Sequence, residues 1–136
     1  MTTLFLDACT IIYLVEASEP WRSRVQNTMA ELHEGDPDAL VAVSDLSRLE
    51  CRVHPMRNSQ QELLTKYDDF FSADGLTVVP LSLRVIDLAT VIRSRSNLRT
   101  ADALQAACCL SLDQPALFIT NDVGFRREAA LEVVLI

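Results

Sequence analysis

No apolar run in this chain is long enough to cross a bilayer. The longest uncharged apolar stretch, Ala8 to Val15, falls well short of the roughly 20 residues a spanning helix requires. No basic stretch precedes it as a secretory signal would need. Basic charge is scarce: 12 Lys and Arg stand against 19 Asp and Glu, a net charge of −7, which argues against strong non-specific attraction to nucleic acid. Lysine is almost missing. Lys66 is the only one, so nearly all positive charge is arginine; arginine suits bidentate phosphate contacts, although genome composition gives the same bias. The four cysteines, Cys9, Cys51, Cys108 and Cys109, lack both CxxC spacing and the density of a secreted scaffold. They read as reduced, small core residues, and the adjacent Cys108 and Cys109 point apart on a helix and do not share a zinc. His33 and His54 lie on separate elements with no partner at ligand spacing and read as surface residues.

What is present describes a globular protein. With 136 residues, 49% of them hydrophobic and 23% charged, the chain is long enough for a real core and too apolar for disorder. We expect a single domain spanning residues 1–136, in the cytoplasm, with no membrane attachment.

Apolar runs and turn signals alternate along the chain. Strands are expected at Thr3–Leu6, Leu40–Val43, Leu76–Val79, Ala116–Ile119 and Glu132–Leu135. Helices are expected at Cys9–Val15, from Trp21 to about His33 with Pro20 at its start, at Ser44–His54 with Ser44 as cap and Pro55 as terminator, and at Asn58–Phe71. Ser82 opens another helix, Arg93–Arg99 reads as a polar loop, Thr100 caps the helix Thr100–Leu112, and Val123–Ala130 reads as a short helix. Strands separated by helices imply a central parallel sheet with right-handed crossovers, an α/β class.

Four acids stand where strands hand over to helices. Asp7 closes Leu4-Phe5-Leu6 and Asp122 closes Leu117 to Asn121, while Glu50 and Asp102 sit early in their helices. In an open α/β sheet these places share one edge, where such folds bind ligands. Four converging carboxylates repel without a cation, and oxygen-only ligands suit Mg²⁺ or Mn²⁺; the expectation is a metal-dependent phosphoester hydrolase. Each acid alone has a plainer reading: Asp7 as a helix cap, Glu50 as a surface partner of Arg48 or Arg52, Asp102 as a favourable first-turn acid, Asp122 as a turn residue before Gly124. Their coincidence at one edge carries the weight. Thr120 is expected to orient Asp122 or a metal water. Arg99, Arg126 and Arg127 are expected to hold substrate phosphates, with a solvated basic face as the plain alternative. Trp21, Phe70 and Phe71 read as packing or dimer-interface residues rather than a base-stacking platform.

These segments carry a resemblance. Leu4-Phe5-Leu6-Asp7-Ala8-Cys9-Thr10, Ser44 to Glu50, Leu98 to Ala107 and Phe118 to Phe125 resemble, in order and spacing, PIN-domain proteins, and among them the small VapC-type toxin ribonucleases. The resemblance implies a three-layer α/β/α sandwich, a divalent metal on Asp7, Glu50, Asp102 and Asp122, RNA cleavage, a homodimer and a cognate antitoxin protein. The antitoxin tail is expected over the apolar surface near Tyr13, Leu14 and Trp21. Cys9 departs from the pattern, since Ser or Asn often stands there; Thr10 is expected to supply the missing hydroxyl. Two rivals are an aspartyl-phosphate phosphatase, which wants an Asp where Cys9 stands and a suitable lysine further on, where Lys66 is the only one, and a non-catalytic PIN-like module that binds RNA or protein, which loss of an acid would signal.

Overall fold

The computed structural model describes residues 1–136. Its elements run β1 (Thr3–Leu6), α1 (Ala8–Val15), α2 (Trp21–Gly35), β2 (Leu40–Ser44), α3 (Asp45–Arg57), α4 (Gln61–Phe71), β3 (Leu76–Val79), α5 (Leu83–Arg95), α6 (Thr100–Leu110), β4 (Ala116–Thr120), a 3-10 helix (Val123–Arg127) and β5 (Val133–Leu135). The five strands form one sheet in the order β3-β2-β1-β4-β5, and every pairing is parallel.

Side chains alternate across a strand, so β1 feeds two cores. Phe5 joins Ala42 and Phe118 on one face, against Val85, Ala89 and Ile92 of α5 and Ala103, Ala106 and Ala107 of α6. Leu4 and Leu6 join Val43 and Ile119 on the other, against Ile11 of α1, Cys51 of α3 and Tyr67 and Phe71 of α4. Helices therefore cover both faces of a parallel sheet, the expected α/β/α sandwich. One side of α6 is fully buried, and much of it is small: Ala103, Ala106 and Ala107 pack with the residues of β1, β2 and β4.

Caps start the helices that carry the acids. Asp7 accepts from the Ala8 N–H and begins α1, and Ser44 accepts from the Ser47 N–H and begins α3; each such cap satisfies a backbone donor that the helix leaves orphaned.

Several boundaries differ from the sequence expectation. Pro55 lies inside α3 instead of ending it. A proline there loses the bond to the Cys51 carbonyl and crowds that carbonyl, but Pro55 itself is buried, and the helix closes two residues later where the Asn58 N–H bonds the His54 carbonyl. Residues 93–95 belong to α5: Arg93 and Arg95 sit at its negative C-terminal end, and Arg95 makes a 2.7 Å ion pair with the buried Glu128. Thr100 is the first residue of α6, whose cap Arg99 makes no side-chain cap bond. The helix after Asp122 is shorter than expected and is a 3-10 turn. Pro20 is the residue before α2 rather than its first.

Candidate active site

The parallel register of β1 and β4 pairs Leu6 with Ile119, so the residues that follow each strand end up side by side. Asp7 is nearly buried, at 8% exposure, and both its carboxylate oxygens are engaged. Oδ1 accepts from the Ala8 N–H at 2.8 Å, and Oδ2 accepts from the Thr120 hydroxyl at 2.8 Å, with the Cys9 thiol at 3.5 Å. The Thr120 oxygen also accepts the Asp122 N–H at 3.0 Å. Thr120 therefore fixes the Asp7 carboxylate and the backbone of Asp122, where the sequence expectation had it orienting Asp122 or a water.

Asp122 follows as an exposed residue whose Oδ1 accepts the Gly124 N–H at 2.8 Å. A Cβ at position 124 would stand 2.9 Å from that same oxygen and would push the Asp122 carboxylate aside. Thr10 lies elsewhere. Its fully buried hydroxyl donates to the Ile119 carbonyl at 2.8 Å, tying α1 to β4, so it is Cys9, and not Thr10, that stands beside Asp7. The Ile119 carbonyl also takes the Asp7 N–H, and the single proton of the Thr10 hydroxyl goes to that carbonyl rather than to the acid.

Glu50 and Asp102 come from the helices on either side. Glu50, half-buried on α3, accepts at Oε1 from the Gln105 side-chain amide at 2.6 Å. Asp102, half-buried in the first turn of α6, has Arg99 near enough for its charge to be felt.

Asp7, Glu50 and Asp102 each feel the charge of a neighbouring acid. Burial raises the Asp7 carboxyl above its ordinary value, against the Thr120, Ala8 and Cys9 hydrogen bonds that lower it, and the Asp102 charge adds to the rise. Burial raises Glu50, opposed by Gln105 and reinforced by Asp7 and Asp102. Asp102 is raised by burial and by Asp122, with Arg99 opposing. Arg99 is the only cation acting on any of these three shifts. Such a surplus of negative charge is what a divalent cation would neutralise. As placed, no three Asp, Glu, His or Cys side chains are gathered to ligating distance; Asp7, Glu50 and Asp122 are each held by their own hydrogen bonds.

The donor set fits a hard cation. Burial and Asp7 raise the Cys9 thiol, which keeps it protonated and leaves carboxylate oxygens as the ionised groups, the ligands that Mg²⁺ and Mn²⁺ take. Cys51, Cys108 and Cys109 are buried, free thiols, the last two pushed up to about 12, and they are core residues as expected.

Of the expected phosphate contacts, Arg99, Arg126 and Arg127 are all exposed, with Arg127 touching only the Asn97 carbonyl at 3.5 Å. His54 is exposed and bonded to Asn58, and His33 is half-buried on α2. Phe71 packs in the core, with Phe70 edge-on against it. Trp21 stacks on Tyr13 with ring centroids 5.3 Å apart, Arg24 lies 4.9 Å over its ring, and the Tyr13 hydroxyl accepts from Asn121 at 2.5 Å.

The sequence reading missed Gln105. It is a fully buried polar side chain in the otherwise apolar run Ala103–Cys109, and that contrast was its one available signal.

Comparisons with known proteins agree with this architecture. The family model described as PIN domain matches residues 4–131. Among curated proteins none matches. Of solved structures, the VapBC2 complex of Rickettsia felis, bound to a DNA fragment from its promoter, is similar at a TM-score of 0.76 and 16% identity over 98% of each chain. A toxin–antitoxin complex from Klebsiella pneumoniae is similar at 0.66 and 16%, over 96% of this chain and 95% of that one. VapC20 of Mycobacterium tuberculosis, a sarcin–ricin loop cleaving toxin, is similar at 0.72 and 13%, over 94% and 95%. At such identities the likeness is one of fold.

Proposed function

This chain belongs to the PIN-domain family, and from that premise we propose that it is a metal-dependent endoribonuclease acting as the toxin of a toxin–antitoxin pair. The observation that carries the reading is the ring of four acids at the carboxyl edge of the parallel sheet, three of them raised by burial and by one another's charge. All four acids are present, so the loss of an acid that would signal a non-catalytic module does not occur here.

Asp7, Asp102 and Asp122 would hold Mg²⁺ or Mn²⁺, with Glu50 binding it or orienting the attacking water. When bound, the cation supplies an acidified water and positive charge for the phosphate oxygens of the scissile bond. The rest is the work of the chain. Thr120 holds Asp7 in one orientation through a buried 2.8 Å bond, and a fixed ligand needs no reorganisation when substrate arrives. Gly124 allows the Asp122 turn to close. Arg99, Arg126 and Arg127, all exposed, would bring RNA phosphates to an otherwise acidic surface.

The partners follow from surface and charge. A cognate antitoxin would lay its tail near Tyr13, Leu14 and Trp21 and set a basic side chain against the acids, forming charge-assisted hydrogen bonds in competition with the cation. A second copy of the chain would cover exposed apolar residues such as Leu49, Val53 and Met56 of α3. Solved toxin–antitoxin complexes of this fold support both the toxin role and the antitoxin. No helix is long and apolar enough to cross a membrane, in keeping with action on RNA in the cytoplasm.

Purified chain incubated with RNA should cleave it in Mg²⁺ or Mn²⁺ and stop in chelator; undiminished cleavage in excess chelator defeats the metal mechanism. Expression should arrest growth of the host deprived of the neighbouring antitoxin gene. Harmless expression there defeats the toxin role while leaving the nuclease intact.

A further inference from the structure

Gln105 lies on α6, three residues and so about one turn beyond Asp102, and is 1% exposed. Its amide makes three hydrogen bonds to two other elements. Oε1 accepts from the Ser44 hydroxyl at the end of β2 at 2.9 Å, while Nε2 meets the Ser47 hydroxyl at 2.9 Å and Glu50 Oε1 at 2.6 Å. The orientation of the amide is determined by its partners. The Ser44 oxygen already accepts the Ser47 backbone N–H as the cap of α3, so its single proton is free to go to Gln105. A flipped amide would set a carbonyl oxygen against the Glu50 carboxylate. Both N–H groups are used, one on a hydroxyl and one on an acid.

We infer that Gln105 is a positioning residue for the candidate metal centre: locked by Ser44 and Ser47, it holds the Glu50 carboxylate in place and ties α3 to the turn of α6 that presents Asp102. This inference rests on the metal-nuclease reading above. A glutamate side chain has three rotatable bonds, and charge repulsion from Asp7 and Asp102 drives a free carboxylate outward towards water. A charge-assisted bond of 2.6 Å from a buried donor opposes that swing. Because the donor belongs to the helix of Asp102, two acids from different helices share one rigid frame. The two serines take up the amide oxygen and one N–H, and the remaining N–H goes to the acid.

The test is a calorimetric Mn²⁺ titration of the full chain, made alongside thermal melting in chelator. The variants are Gln105→Leu, which removes the amide, and Gln105→Asn, which keeps an amide too short to reach Glu50, each alone and combined with Glu50→Ala. Gln105→Leu and Gln105→Asn should weaken Mn²⁺ binding on the order of tenfold, as loss of a ligand's hydrogen-bond partner does. In the Glu50→Ala background the same changes should leave the affinity within about twofold, because the effect travels through Glu50. Gln105→Asn serves if Gln105→Leu fails to fold. Unchanged Mn²⁺ affinity in a folded Gln105 variant overturns the inference, and so does an equal loss with and without Glu50. If wild-type chain and Asp7→Asn take up Mn²⁺ alike, it is the metal reading that has failed, and the positioning role goes with it.

Discussion

Thr120 and Asp7, 113 positions apart, share a buried 2.8 Å hydrogen bond in which the threonine hydroxyl donates to the carboxylate. The same oxygen accepts the backbone N–H of Asp122, so one side chain ties the acid after β1 to the loop after β4. Thr120→Val keeps the shape and removes the donor. It should lower kcat roughly 10–100-fold, the usual cost of losing a ligand's partner, and lower stability by about 1–3 kcal/mol, because a buried acceptor is left unsatisfied. Thr120→Ser should restore most of both. Single-turnover cleavage and chemical denaturation of the three proteins check this; a Thr120→Val enzyme with normal kcat would remove the residue from the site.

Gly124→Ala places a methyl group 2.9 Å from Asp122 Oδ1. Carboxylate and turn cannot both keep their positions, so Mn²⁺ affinity and activity should fall together while the melting temperature changes little, the loop being exposed. Equal activity in Gly124→Ala would mean that Asp122 has no fixed role.

Stability in chelator should depend on pH in a direction opposite to that of most salt-bridged acids. Asp7, Glu50 and Asp102 have folded-state values raised above their ordinary ones, so the native state binds protons more tightly than the unfolded chain. Stability is then greatest below the ordinary carboxylate range and is lost as pH rises through the raised folded values. Melting curves from about pH 4 to pH 7 in chelator should show this component, and Asp7→Asn should gain on wild type towards neutral pH, with the gap closing in acid. Saturating Mn²⁺ should remove most of the slope. A wild-type advantage over Asp7→Asn at neutral pH in chelator would contradict the burial and repulsion described for Asp7.

Arg99→Ala, Arg126→Ala and Arg127→Ala should each weaken RNA binding with little effect on the fold, since all three are exposed. If each neutralises one phosphate, each substitution should reduce the slope of log affinity against log salt by about 0.7, the value per contact for single strands. An unchanged slope assigns that arginine to the solvated face.

Much of this was legible in local sequence because it depends on local physics. Leu4-Phe5-Leu6 before Asp7 and the run Ala116–Ile119 read as buried strands, and a strand end fixes the edge at which the following residues stand. Ser44 reads as a cap because capping involves only residues three apart. Pro55 misled, since its lost hydrogen bond is offset by tertiary burial that no local rule sees. Arg93 and Arg95 looked like loop because they are polar, but their place at the end of α5 suits their charge and Arg95 answers the distant Glu128. Thr10 looked like a partner of Asp7, whereas the parallel register hands it the Ile119 carbonyl. Gln105 was illegible for the same reason. Its meaning lies in the packing of α3 against α6, and its partners are 55 to 61 positions away.

The central claim is that the four acids at the sheet edge make one cation site. The most direct measurement is the anomalous difference map of a crystal of this chain soaked in Mn²⁺. A peak within coordination distance of Asp7 and Asp102 oxygens, absent from Asp7→Asn, is the predicted result. No peak at that edge under Mn²⁺ concentrations that support RNA cleavage, or a peak held by other residues, would contradict the account.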